Sequence, residues 1–180
     1  LAWIGSIADA VVRTTHRPVL ITPDRAVARG TAIRRIMVPH DGSEPSDTAL
    51  RSAIRLATLH GASIALVRVI APPIVGDVLT ALSSEALDRF GVDTIAAEAK
   101  EELDATAEEV RRHVPTVTAT VLVHANAARA LLEHAGETDP DLIAMGTHGR
   151  GVSRLFVGSV ADKVLRGSGR IVLVQRSPVL

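Results

Sequence analysis

The stretch RIMVPHDGSEPSDTALRSAIRLATLHGASIALVRVI, residues 35–70, contains a short apolar run, an amphipathic segment and a second apolar run. Residues 36–39 predict a strand. Residues 44–60 predict a helix, because their apolar side chains recur at helical spacing. Residues 62–70 are almost continuously apolar, which is typical of a strand buried on both faces of a sheet. The stretch therefore predicts a strand, a helix and a second strand parallel to the first.

The same alternation continues along the rest of the chain. Further helices are expected over 92–113, 127–134 and 159–166, and further strands over 117–123, 141–145 and 171–174. Residues 74–91 are mixed in composition and are expected to form a loop with a short helix. Strands that alternate with helices indicate parallel pairing. The predicted fold is α/β, a five-stranded parallel open sheet that is doubly wound by helices and Rossmann-like.

Composition limits the classes of function. The 20 Lys and Arg residues balance the 20 Asp and Glu residues, so no net charge draws the chain to nucleic acid or to an anionic membrane. Arg68 interrupts the longest apolar run, which is too short to span a membrane. Cysteine is absent, and the seven histidines show no metal-ligand spacing. We expect a cytoplasmic protein with no nucleic-acid, membrane or dedicated metal site.

The first 22 residues repeat the end of the chain at a fixed offset of 153 positions. The matching pairs are Gly5-Ser6 with Gly158-Ser159, Ala8-Asp9 with Ala161-Asp162, and Val19-Leu20-Ile21 with Val172-Leu173-Val174. A repeat at about one domain length indicates two homologous units in tandem. We expect residues 1–22 to be the closing helix and strand of a preceding unit, residues 23–33 to be a linker, and residues 34–177 to be the main domain.

The strand at 171–174 is expected to lie at an edge of the sheet. An uncovered edge exposes backbone donors and acceptors to other chains. Residues 17–21 resemble that strand and can cover it, either within one molecule or between two copies. We therefore predict antiparallel pairing of these two strands, in an intramolecular tandem or a homodimer.

Candidate binding residues follow two of the predicted strands. Ligands of open parallel sheets bind beyond the carboxyl ends of the strands. Pro39, His40 and Asp41 close the first strand, and Gly146-Thr-His-Gly-Arg-Gly follows the strand at 141–145. Gly158-Ser159 then begins a helix, whose N-terminal amides can hold an anion. The pattern fits a phosphate cradle, although glycines after a strand can equally be turns and Gly-Ser can be only a helix cap.

Two motifs resemble the universal stress protein family. They are MGTHGRG at 145–151 and LFVGSVADKVLR at 155–166, and they accompany Asp41 after the first strand. The resemblance covers about residues 34–177 and implies a sheet like that of the adenine nucleotide alpha hydrolases. Family members that bind ATP carry the motif G-x2-G-x9-G-[ST], which would correspond here to Gly146, Gly149, Gly158 and Ser159.

The resemblance implies an ATP-binding regulatory module and assigns roles within it. Asp41 would contact ribose or adenine, and the backbone of Val69 would meet the adenine. Pro39 and His40 would form the wall of the same pocket. The phosphates, with or without Mg²⁺, would lie against Gly146, Gly149, Arg150, Gly158, Ser159 and Val160. Met145 would also belong to the nucleotide site.

Two departures from the family pattern keep an alternative open. Eight residues separate Gly149 from Gly158, one fewer than in the motif, and His124-Ala-Asn126 replaces a common Gly-x-Pro. The alternative is a degenerate unit that binds no nucleotide and serves in dimerisation or protein interaction. An enzyme is not expected, because S-G-G-x-D-S and H-x-G-H, the motifs of catalytic relatives, are absent, although slow ATP hydrolysis stays open.

Overall fold

The computed structural model describes residues 10–12, 14–15, 17–23, 32–72, 91–147 and 158–176. The strands are β1 (Val19–Ile21), β2 (Arg35–Pro39), β3 (Ser63–Ile70), β4 (Val117–Val123), β5 (Leu142–Thr147) and β6 (Ile171–Arg176). The helices are α1 (Glu44–His60), α2 (Val92–Arg111), α3 (Ala127–Thr138) and α4 (Ser159–Gly167). The expected loop and short helix over 74–91 lie outside the described residues, except for Gly91.

The strands form one six-stranded sheet in the order β1-β6-β5-β2-β3-β4. All neighbours from β6 to β4 are parallel, and only β1 is antiparallel to its neighbour. The predicted five-stranded parallel sheet is thus confirmed. Within the described part of the chain, no helix is both long and apolar enough to cross a membrane.

Helices cover both faces of the sheet, because each buried strand alternates its side chains between them. In β2, Ile36 and Val38 belong to the apolar cluster that α1 and α2 cover. Met37, between them, belongs to the opposite cluster, which α3 and α4 cover. The doubly wound architecture therefore follows from apolar residues at consecutive positions of the central strands.

The strand β1 pairs with β6 in one chain. The partners are Val19 with Val174, Leu20 with Leu173, and Ile21 with Val172. The predicted antiparallel pairing is therefore present, and it covers the edge of β6. Residues 10–12 are helical, and the buried side chain of Val12 belongs to the apolar cluster that α3 and α4 cover.

Several predicted boundaries were wrong, among them the end of the helix expected over 92–113, which lies at Arg111. The helix expected over 127–134 continues to Thr138, because exposed Gly136 stays helical and the helix ends only at Asp139, whose φ is 49°. The strand expected over 141–145 runs from Leu142 to Thr147. Gly146 and Thr147 were expected in the following loop, but they pair with the last two residues of β6, which extends to Arg176 instead of ending at 174.

Candidate functional site

The site lies where the chain changes direction across the sheet. The helices after β2 and β3 cover one face, whereas those after β4 and β5 cover the other. The strands β2 and β5 are neighbours at this switch point, so a crevice opens beyond their carboxyl ends. A pocket of about 290 Å³ occupies the crevice. Its described lining residues are Pro39, His40, Asp41, Ser43, Pro45, Ser46, Val67, Val69, Ala127, Leu131, Met145, Gly146, Thr147, Gly158, Ser159, Val160 and Ala161.

Asp41 stands in a tight turn between β2 and α1. Its Oδ1 accepts hydrogen bonds from the amide of Ser43, at 3.0 Å, and from the Ser43 hydroxyl, at 2.5 Å. Burial raises the pKa of the Asp41 carboxyl, but the hydrogen bonds, chiefly from Ser43, outweigh it and hold that pKa below its ordinary value. At neutral pH the group is therefore a carboxylate, which can only accept hydrogen bonds from a ligand.

The N-terminus of α1 lines the pocket beside that turn. Ser43 caps the helix, its hydroxyl accepting from the Ser46 amide at 3.4 Å, and Pro45 lies in the first turn. The backbone of Pro45 presses against Gly146 of β5. A Cβ added at Gly146 would lie 2.0 Å from the Pro45 oxygen and 2.2 Å from its carbonyl carbon. Packing of α1 on β5 therefore requires glycine at 146, whatever the pocket binds.

Gly158 differs from Gly146 in this respect. It precedes α4 with φ −48° and ψ 146°, a conformation open to any residue, and no described atom lies within 4 Å of a Cβ added there. Among the residues that the structure describes, no side chain caps the first turn of α4. The amides after Gly158 are the orphan donors of a helix N-terminus and carry its partial positive charge. Within the described part of the chain, open space at Gly158 therefore adjoins donors that no side chain caps.

The acidic residue of that turn does not occupy those donors with its side chain. The Asp162 carboxylate bonds instead to the Arg166 guanidinium, at 2.9 and 3.0 Å. None of the described lining residues is Lys or Arg. Among the described residues there is also no group of three or more side chains suited to hold a metal ion.

His40 is fixed from two sides. Its backbone amide donates to the Val67 carbonyl at 2.9 Å, and its Nε2 lies 2.9 Å from Oδ1 of Asp47 in α1. The sequence predicted His40 on the pocket wall but missed Asp47. The sequence does place Asp47 in the first turn of a helix that begins at residue 44, but it does not specify that this carboxylate faces His40.

The structure brings most of the predicted site residues to one pocket. Those that line it are Pro39, His40, Asp41, Val69, Met145, Gly146, Gly158, Ser159 and Val160. Gly149 and Arg150 lie outside the described residues. Sequence reasoning missed the apolar wall from α3, Ala127 and Leu131, for which the sequence held no motif.

Residues 124–126, which depart from the Gly-x-Pro pattern, form the turn that begins α3. The Asn126 side chain caps the helix by accepting from the Arg129 amide at 3.1 Å, and His124 Nδ1 accepts from the Asn126 amide at 2.8 Å. Neither residue is among those that line the pocket. The imidazole is thus held by its own turn.

The fold and the crevice define a doubly wound α/β protein with a pocket at its switch point. The sequence model of the universal stress protein family matches residues 32–176, which is most of the chain. The chain belongs to that family.

Two curated relatives show how the chain compares in length. It is 32% identical over 149 residues to universal stress protein MJ0531 of Methanocaldococcus jannaschii, covering 81% of this chain and 83% of that protein. It is 29% identical over 178 residues to universal stress protein Rv2319c of Mycobacterium tuberculosis, covering 95% of this chain but 58% of that protein. The chain thus spans little more than half of the second relative.

Two solved structures share the fold. A universal stress protein from Archaeoglobus fulgidus superposes with a TM-score of 0.68 at 21% identity, covering 97% of this chain and 56% of that one. A universal stress protein solved in complex with cAMP superposes with a TM-score of 0.51 at 24% identity, covering 81% of this chain and 98% of that one.

Proposed function

We propose that the chain binds an adenine nucleotide, ATP, as a regulatory ligand in the pocket at the switch point. One observation carries the proposal. The acceptor oxygens of Asp41 and the N-terminal amides of α4 after Gly158, which no described side chain caps, line the same pocket. A nucleotide has the complementary arrangement, with hydroxyl and amine donors on its nucleoside and acceptor oxygens on its phosphates.

The nucleoside would lie at the Asp41 end. The carboxylate would accept from a ribose hydroxyl or from the adenine amine, and Pro39 and Val69 would contact the base. Val67, Leu131 and Met145 add apolar surface to the same pocket. Mostly apolar walls with a few placed polar groups are typical of small-molecule sites.

The phosphates would lie at the Gly158 end. The amides of Ser159 and Val160 and the Ser159 hydroxyl would donate to phosphate oxygens, which is how helix N-termini bind anions. Gly149 and Arg150, outside the described residues, are proposed to complete this end. Any Mg²⁺ would be held by phosphate oxygens and water, as is common for this ion, since the described residues offer no ligand cluster of their own.

A regulatory role suits the described lining better than phosphoryl transfer does. Enzymes that transfer phosphoryl groups place several cations around the reacting phosphate, whereas Arg150 is the single cation proposed at this end and none of the described lining residues is Lys or Arg. Bound phosphates would instead fix the start of α4 relative to β5. A ligand that prefers this arrangement shifts the population of conformations toward it.

The competing function is a unit without nucleotide that acts through protein contacts. The eight residues between Gly149 and Gly158, against nine in the ATP-binding motif, favour it. Binding of a fluorescent ATP analogue separates the two. Nucleotide binding predicts at least about a tenfold loss of affinity in Asp41→Ala and Gly158→Val, and none in the control Gly136→Ala on the exposed face of α3. A contact module predicts no saturable binding in any of them. Competition with AMP and cAMP then identifies the preferred nucleotide.

We propose further that residues 1–22 end a preceding homologous unit, that 23–33 link it to the main domain at 34–177, and that the two units pair through β1 and β6. The sequence repeat equates Val19 with Val172 and Ile21 with Val174, yet the strands pair Val19 with Val174 and Ile21 with Val172. Equivalent residues that exchange partners around a central Leu20–Leu173 pair are what a two-fold axis produces. The 58% coverage of Rv2319c also leaves room in such a relative for a second unit.

A disulfide tests whether this pairing is made within one molecule or between two. The chain has no cysteine, so Val19→Cys with Val174→Cys introduces a single thiol pair at directly opposed positions, where Cα spacing suits a disulfide. Pairing within the molecule predicts an oxidised monomer on a non-reducing gel. A covalent dimer would show exchange between copies instead, and the absence of oxidation would contradict the register. Val19→Cys with Leu173→Cys, one residue out of register, is the control.

A further inference from the structure

His40 lines the pocket, and among the described residues its Nδ1 has no hydrogen-bond partner. The residue is 6% exposed. Its Nε2 lies 2.9 Å from the Asp47 carboxylate, which is itself 49% exposed. Buried polar atoms normally have a hydrogen-bond partner, so an unpaired one points to a ligand or water.

The bond to Asp47 fixes the chemistry of that free nitrogen. A carboxylate only accepts hydrogen bonds, so Nε2 must carry the proton in this contact. In a neutral imidazole Nδ1 is then a bare acceptor. Because α1 holds Asp47 and the Val67 carbonyl holds the His40 amide, the acceptor is fixed in position before any ligand arrives.

We propose that His40 is a specificity-determining residue whose Nδ1 accepts a hydrogen bond from a donor on the nucleoside of the bound nucleotide. This inference rests on the nucleotide-binding function proposed above. Two nucleoside groups supply the required donor, the exocyclic amine of adenine and a ribose hydroxyl. Ionised phosphate oxygens only accept, so His40 and Asp41 together would hold the nucleoside at their end and leave the phosphates to α4.

Nucleotide analogues test the inference without altering the protein. Inosine triphosphate lacks the exocyclic amine, and 2′-deoxy- and 3′-deoxy-ATP each lack one ribose hydroxyl. At least one of the three is expected to bind the unchanged chain about tenfold more weakly than ATP, and the His40→Gln variant then decides whether the missing donor is bonded to His40 or to Asp41. If all three bind as ATP does, the inference is wrong while nucleotide binding stands.

The variant His40→Gln assigns that discrimination to Nδ1. The Nε2 amide of glutamine can still donate to Asp47, but carbon takes the δ position of the free acceptor, and the remaining acceptor, Oε1, lies one bond further out. We expect the affinity for ATP to fall about tenfold in His40→Gln, while the affinity for the weakly bound analogue stays the same. The ratio of the two affinities then falls to about one. A merely structural His40 would lower the affinity of every ligand together and leave the ratio unchanged, which would overturn the proposal.

Asp47→Ala is the second variant, and thermal unfolding reports folding in both. Asp47→Ala removes the acceptor that fixes the tautomer of His40 but keeps the imidazole. We therefore expect the ratio of the two affinities to lie between that of the unchanged chain and about one. A ratio equal to that of the unchanged chain would contradict the role given to Asp47. If the unchanged chain binds no nucleotide, the proposed function itself fails and the inference fails with it, an outcome distinct from binding without discrimination.

Discussion

We expect glycine at position 146 to be required for the stability of the fold, whatever its part in binding. In Gly146→Ala the new Cβ would lie 2.0 Å from the Pro45 oxygen, whereas real Cβ contacts essentially never fall below 3.0 Å. Strand β5 and the first turn of α1 must therefore separate by at least about 1 Å. Both surfaces are backbone, so no side-chain rotation relieves the clash.

The expected cost follows from this geometry. Overpacking of a core costs about 1–3 kcal/mol, and a clash between two backbones belongs at the upper end, about 3 kcal/mol. For a chain of this size that corresponds to a fall of about 6–12 °C in Tm. Urea unfolding followed by circular dichroism measures the change in free energy.

A matched glycine provides the control. Gly136 is exposed in the interior of α3, and nothing lies within 4 Å of a Cβ added there. Gly136→Ala should stabilise the chain by about 0.5–1 kcal/mol, because alanine is the better helix former. If Gly146→Ala unfolds at the same urea concentration as the unchanged chain, the close packing of α1 on β5 is wrong.

Three further predictions concern the site and the sheet edge. The folded pKa of Asp41 lies below its ordinary value, so its charge stabilises the fold above that ordinary value and ceases to do so as pH falls through the folded pKa. The difference in unfolding free energy between the unchanged chain and Asp41→Asn should therefore decrease from about pH 7 to about pH 2. A difference that does not change with pH would contradict the lowered pKa of Asp41. Ser43→Ala should raise the pKa of Asp41 in an NMR titration, because it removes the hydroxyl donor, and should cost about 1 kcal/mol through the lost helix cap. Removal of residues 1–22 should expose β6 and cause association that grows with concentration in light scattering, whereas an unchanged mass would show that β1 does not protect that edge.

The periodic segments made most of the fold predictable. The helix at 44–60 and the strand at 117–123 have the bounds that the sequence indicated. The spacing of apolar residues and a helix-ending glycine such as Gly61 act within a short segment, so the sequence shows them directly. The end of β5 was not predictable in this way. Gly146 and Thr147 read as a loop, but the neighbouring β6 extends the strand through them, and such pairing is not encoded locally.

The site was predictable where a motif carried it. The resemblance assigned Asp41 and Gly158 to one pocket, and the structure brings both to the pocket wall. It also assigned Gly146 to phosphate, whereas contact with Pro45 now accounts for that glycine by packing alone. The pairing of His40 with Asp47 depends on how α1 sits against β2, which no spacing in the sequence specifies.

The most direct test of nucleotide binding is calorimetric titration of the chain with ATP and Mg²⁺ after denaturing extraction of any retained nucleotide and refolding. We predict saturable binding of one nucleotide per chain, because the acceptor at Asp41 and the donors beside Gly158 line a single pocket. No heat of binding from correctly folded protein would contradict nucleotide binding and would support the module that acts through protein contacts.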